Sequence, residues 1–206
     1  MNGRSQTGIV GLASVDDYLN NIIKKHENTR EEKEIDRINH VDTLSAQTGP
    51  IFLAYKANDA LQKTISKNTK NVPLYDFVSE DGVRHRVWKV EKEYNKQIAE
   101  CFEDISALYI ADGHHRAASA VKVALKRRQK YDDKNAEYNY FLSVIFDERQ
   151  LHILPYNRIV LDLNLKSENE ILESISKNFD IKECPVQKEI ANRHEFGMLL
   201  EDKFYI

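Results

Sequence analysis

Within five consecutive positions, Asp112, Gly113, His114, His115 and Arg116, the chain places one carboxylate, one residue without a Cβ, two imidazoles and a guanidinium. These residue types suit the handling of an anion. Arg116 can fork onto phosphate or carboxylate oxygens, the imidazoles titrate near neutral pH, and Asp112 can accept a proton, bind a metal or orient a histidine. An apolar run, Ala107 to Ala111, precedes the five, and Ala117, Ala118, Ala120, Val121, Val123, Ala124 and Leu125 follow in a helical pattern. The order is strand, sharp turn, helix. It sets the five residues at a helix mouth whose first N–H groups have no partner within the helix, a place that favours negative charge. Gly113 lets the backbone approach a ligand closely. The ordinary alternative is that Asp112 caps the helix, but five polar residues directly behind a buried-type strand favour a site.

A second polar string lies upstream: His26, Glu27, Thr29, Arg30, Lys33, Asp36, Arg37 and His40. Lys33, Asp36, Arg37 and His40 are three or four apart and therefore share one helical stripe. Two readings fit the stripe equally, a salt-bridged solvent face and a second wall of the site.

The elements that must hold these residues follow from the remaining pattern. Ile9 to Ala13 reads as a buried strand. Ser14 caps a helix with Asp17 at the capping-box position and Val15, Tyr18, Leu19, Ile22 and Ile23 on one face, and that helix runs into Lys24-Lys25-His26-Glu27. Thr29 with Glu32 opens a second helix carrying Ile35, Ile38, Val41 and Leu44, closed by Gly49 and Pro50. Ile51 to Tyr55 is a short buried strand, and Ala57 to Lys67 a helix. Ser79-Glu80-Asp81-Gly82 turns a hairpin between Leu74–Val78 and Val83–Val90. Glu91 to Asp104 is a helix with Tyr94, Ile98, Cys101 and Phe102 inward. After the polar loop Tyr131 to Asn139 come Tyr140–Phe146, Leu151–Pro155 and Arg158–Leu163, expected as an antiparallel meander. Ser167 caps a helix through Phe179, Phe179 to Cys184 is a further candidate strand, and Phe196 to Ile206 reads as a hairpin about Glu201-Asp202. Short helices mixed with hairpins, with neither an internal repeat nor a glycine-proline linker, predict an α+β fold with a mixed, mainly antiparallel sheet in a single domain over residues 1–206.

Composition narrows the function classes. With 206 residues, 31% of them charged and 41% apolar, the chain can bury a substantial core. A formal net charge of −3 argues against a general nucleic-acid binder. No apolar segment is long enough to span a bilayer, and the start lacks the basic-then-apolar order of a signal peptide. Cys101 and Cys184 stand far apart and outside any metal-ligand spacing, so both read as free thiols in a reducing cytoplasm. The basic run Lys126-Arg127-Arg128, with Lys130, falls in the last turn of the predicted helix, where cations complement the dipole, and reads as a solvated helix end.

The segments YIADGHHRAASA, KKHENTREEKEIDR, TGPIFLAY and LHILPYNRIV together resemble the bacterial and archaeal family labelled domain of unknown function 1015, over nearly the whole chain. Members of that family are longer, and the resemblance implies that the chain is their middle portion. The Asp112–Arg116 turn is also similar to the ParB/sulfiredoxin superfamily, in which the corresponding region cradles nucleotide phosphates. A free serine kinase of that superfamily carries a very similar Asp-Gly-His-His-Arg turn. The resemblance implies that Gly113, His114, His115 and Arg116 hold the phosphates of ATP or ADP and that Asp112 is a catalytic residue partnering Mg²⁺ or substrate. It also implies a catalytic base upstream of the turn, for which Glu27 is the candidate, with His26, Arg30, Arg37 and Arg158 in substrate-binding or supporting roles. One departure stands out. Where the family has Pro-Thr-His-Arg, this chain has Pro155-Tyr156-Asn157-Arg158, so only the arginine carries over, and Asn157 cannot titrate near neutral pH.

These observations lead first to a nucleotide-dependent phosphotransferase acting on a small hydroxyl compound, a chemistry of positioning and charge neutralisation. The chain has neither a Walker loop nor the protein-kinase signature set. The second expectation is a ParB-like regulatory module that holds a nucleotide without turning it over. A metal-dependent hydrolase on Asp112, His114 and His115 is disfavoured, because neighbouring side chains on a helix diverge by about 100°. A nucleophilic cysteine is weaker still, since neither Cys101 nor Cys184 lies in the turn. The expected partners are a nucleotide and a small molecule, with no nucleic acid and no membrane.

Overall fold

The structure is a computed structural model and describes residues 3–131, 133–154, 156–188, 190 and 192–206. The chain forms two compact units, the second beginning at Leu154. The first contains β1 (Ile9–Ser14), α1 (Val15–Leu19), β2 (Ile23–Lys24), α2 (Glu31–Leu44), β3 (Ile51–Tyr55), α3 (Asp59–Asn68), β4 (Tyr75–Val78), β5 (Arg84–Val87), α4 (Lys92–Glu103), β6 (Leu108–Asp112), α5 (His114–Arg128) and β7 (Tyr140–Asp147). The second contains α6 (Glu168–Ser176), β8 (Glu183–Cys184), β9 (Met198–Leu200) and β10 (Lys203–Tyr205).

The fold is α+β with a mixed sheet. Five strands run in the order β1-β7-β3-β6-β2, where β1 is antiparallel to β7, β3 is parallel to β7 and antiparallel to β6, and β2 is parallel to β6. Strands β4 and β5 form a separate antiparallel hairpin about the Asp81-Gly82 turn, as the sequence predicts. Burial on β7 alternates strictly, with Phe141, Ser143, Ile145 and Asp147 buried, so one face of the strand belongs to the core. Central β3 buries Ile51, Leu53 and Tyr55, and Leu61, Ile110, Ala117, Val121 and Ala124 close over the same core. Alanines let α5 approach its neighbours closely, and α2 lies along it. In the second unit β10 pairs with both β8 and β9, and Ser167 heads α6 with a complete capping box, its hydroxyl engaging Glu170. No helix among the described residues is long and apolar enough to cross a membrane.

Several local expectations are corrected. The first helix stops at Leu19, because Asn21 takes a left-handed φ of 59°, and Ile23 is buried as a strand residue. The cap of α2 is Arg30, without a side-chain bond, rather than Thr29, and the helix ends at Ser45, which is left-handed at φ 50°. Ile35 and Leu44 are exposed rather than inward. Residues 151–154 and 156–163 form no strand, so the meander beyond β7 is absent there, and Pro155 lies outside the described residues. Of the predicted 179–184 strand, Glu183 and Cys184 form β8, and Lys182 exchanges backbone hydrogen bonds with Ile206. The basic end of α5 is bonded rather than merely solvated. Lys126 and Arg127 both reach the Asp42 carboxylate, at 2.6 and 3.1 Å, and Arg128 bonds Asp16 at 2.6 Å, which fastens α5 to α2 and α1.

Candidate functional site

Strand β6 ends at Asp112, opposite Phe52 of β3, and Gly113 turns the chain into α5 at φ 97°, a conformation that L side chains rarely adopt. The mouth of α5 has neither a side-chain cap nor an acidic residue in its first turn, and the carboxylates that stand near it are those of Asp112, directly before Gly113, and Glu27. Arg116 folds back over this turn. Its Nη2 donates to Asp112 Oδ2 at 2.6 Å, and its guanidinium lies against two glycines. A Cβ on Gly113 would come within 3.0 Å of Nη2, and one on Gly49 within 3.1 Å of Nη1. Both glycines therefore make room for the guanidinium.

His114 is buried between two upstream residues. The backbone N–H of His26 points at His114 Nε2 from 3.5 Å, the His26 ring meets it edge-on at 4.4 Å, and Glu27 Oε2 lies 3.3 Å from His114 Nδ1. An accepting Nε2 leaves the proton on Nδ1, facing Glu27, and this assigns the neutral tautomer. Burial pushes the His114 pKa down and the neighbouring His26 adds to that, against the opposing pull of Glu27 and Asp112. The sign follows. An unfolded histidine takes a proton more readily than this one, so the stability that His114 contributes is present above its unfolded range, near 6.5, and is lost as pH falls. We expect the thermal midpoint to drop between about pH 7 and about pH 5, and the His114→Gln variant to show a smaller drop over that window.

His115 points elsewhere. Its Nδ1 is buried with no hydrogen-bond partner among the described residues, while its backbone oxygen accepts from Ser119 Oγ at 2.7 Å. Nearby, Glu34 is buried at 3% exposure and its carboxylate is bonded by Lys122 of α5. Burial works to raise the Glu34 pKa, but the bonds from Lys122 and the Thr29 side chain outweigh it and hold the group ionised. Sequence reasoning passed over Glu34. The available signal was register, since Glu34, Ile38 and Val41 stand at i, i+4 and i+7 and share the inward face.

The α2 stripe forms a second wall. Asp36, Arg37 and His40 line a pocket of about 200 Å³ together with Thr48, Gly49 and Arg116. Arg37 and Arg116, which are 79 positions apart in sequence, thus face one cavity. The other residues of interest lie elsewhere. Arg30 caps α2 and is exposed, and the Lys33 side chain is outside the described set. Arg158 belongs to the second unit, where it is exposed and in no regular element. Among the described residues no three His, Cys, Asp or Glu side chains converge as metal ligands. His114 already directs both ring nitrogens to protein groups, which disfavours the hydrolase reading. Cys101 and Cys184 are free thiols.

Fold and site define a mixed α+β protein whose candidate centre is a glycine-headed helix mouth flanked by an acid, a buried neutral histidine and two arginines. The chain belongs to the family described as Protein of unknown function (DUF1015), which matches residues 1–206. Comparison with curated proteins and with solved structures found no match.

Proposed function

We propose that the chain is a nucleotide-dependent phosphotransferase acting on a small hydroxyl metabolite, with the nucleotide phosphates bound at the mouth of α5. The observation that carries this reading is the convergence of Arg116 and Arg37 on one pocket, which α5 lines with Arg116, Ser119 and Ala120 rather than with Asp112–His115. Phosphoryl transfer needs positioning and neutralisation of spread negative charge, and these groups supply both. The turn is similar to that of the ParB/sulfiredoxin superfamily, and most of all to the free serine kinase, so free serine is the first acceptor to try.

Glu27 is the proposed base. Its carboxylate is 60% exposed while one oxygen faces the Nδ1 side of His114, which leaves the other free to take a hydroxyl proton. Mg²⁺ would be held by Asp112 with phosphate oxygens and water, a mode that needs only one or two carboxylates, and would neutralise charge on the transferring group. Asp112 would then share its carboxylate between cation and Arg116. The setting is a reducing cytoplasm, and the expected partners are small molecules rather than nucleic acid.

Calorimetric titration with ADP and with ATP, each with Mg²⁺, tests the reading. Arg116→Ala should weaken nucleotide binding by about tenfold or more, because it removes a charge-assisted, forked contact. Unchanged affinity in that variant would count strongly against the site. Saturable binding that yields no phosphorylated product from any hydroxyl acceptor would instead favour a regulatory module.

A further inference from the structure

The pocket at Arg116 does not end with its charged residues. Past Val41, Gln47 and Ala120, which border both spaces, it adjoins a second lobe of about 580 Å³ whose walls include Leu12, Tyr138, Tyr140 and Leu142. The waist between the lobes is fixed. Gln47 Oε1 accepts from the Leu142 backbone N–H at 2.6 Å, and its Nε2 donates to the Tyr140 oxygen at 3.0 Å, so both ends of the amide are committed to the protein.

Two further polar side chains around the second lobe are committed as well. The Tyr138 hydroxyl faces the backbone oxygens of Tyr131 and Asp133, at 3.0 and 3.3 Å, and Arg127 is held by Asp42 and Ser45. What remains for a ligand is the surface of Leu12, Tyr140 and Leu142 together with the Glu137 carboxylate. The two lobes differ in their charge, one carrying two guanidiniums and an imidazole with the single carboxylate of Asp36, the other carrying tyrosine rings and leucines with the carboxylate of Glu137 at its border. A ligand complementary to both has a polyanionic end and a flat, weakly polar end.

We propose that the second lobe is the nucleobase subsite for a nucleoside di- or triphosphate whose phosphates sit at Arg116 and Arg37. This assignment rests on the nucleotide reading above and adds where the base goes and what holds it. Stacking on aromatic rings strengthens binding and tolerates different bases, and the Glu137 carboxylate at the border can accept from an exocyclic amino group of a base.

The test compares two probes, ADP and inorganic pyrophosphate, each titrated with Mg²⁺ into the full chain and into Leu12→Trp and Tyr140→Ala. Leu12 is 63% exposed, so a tryptophan there fills the lobe without entering the core. The wild type should bind ADP on the order of tenfold more tightly than pyrophosphate, and each variant should lose most of that difference while keeping its pyrophosphate affinity. Retained pyrophosphate binding also shows that the variant is folded. Equal affinities for the two probes in the wild type, or an ADP advantage intact in both variants, would overturn the base subsite and leave the phosphate site standing. If the wild type bound neither probe, the nucleotide reading itself would fall, and the subsite with it.

Discussion

Glu27→Gln should leave ADP and ATP affinity within about twofold of the wild type and lower the rate of phosphoryl transfer by about 10²–10⁴, the range over which a positioned general base contributes. The two effects separate because Glu27 is absent from the residues lining the phosphate pocket, whereas Arg116 and Arg37 belong to it. Glutamine preserves shape and can still accept from His114 Nδ1–H, but it cannot take a proton from a hydroxyl. The measurement is single-turnover formation of phosphorylated acceptor, with serine first, beside a calorimetric titration on the same preparation. Loss of binding and rate together would make Glu27 a structural partner of His114. An unchanged rate would remove it from the chemistry altogether.

The second large effect is on stability. Phe141 is fully buried on the core face of β7, and the Tyr18 ring of α1 meets it edge-to-face at 6.4 Å. Truncation to alanine removes a ring from a packed core and leaves a cavity that the sheet cannot close, which costs about 3–5 kcal/mol. Denaturant unfolding should show the midpoint falling with little change in slope. A loss below about 1 kcal/mol would mean that the contact between α1 and β7 relaxes far more than close packing allows.

The strand-turn-helix around Asp112 was legible because an apolar run, a glycine and a helical apolar pattern occur in immediate succession. The hairpin at Asp81-Gly82 and the Ser14 and Ser167 caps were legible for the same reason: local chemistry decides them. What the sequence concealed depends on distant partners. Nothing near Ile23 shows that it becomes a strand residue beside Leu108, since the break is made by Asn21 in a left-handed conformation and the pairing by a segment 85 positions away. Segment 156–163 has the composition of a strand, yet Ile159 and Leu161 stand 84% and 94% exposed. An apolar pattern records a readiness to pair and does not supply the partner. At the site, residue types suggested an anion, and the Asp36, Arg37 and His40 stripe is both exposed and part of the lining of the Arg116 pocket, which only the placing of α2 against α5 reveals.

The register of the central sheet sets an order of events during synthesis. Among the described residues β1 pairs with β7 alone, with Ile9 opposite Ile145 and Ser14 opposite Tyr140. A nascent chain therefore carries β1 unpaired until β7 begins to emerge, with 126 positions separating Ser14 from Tyr140. At typical elongation speeds that interval lasts roughly ten seconds. Contacts this distant in sequence also slow closure once the chain is complete. Val10 and Leu12 stay 62% and 63% exposed in the folded chain, so what β7 covers is the backbone edge of β1, which until then stands open to pairing with any other chain nearby and draws on chaperones during crowded expression.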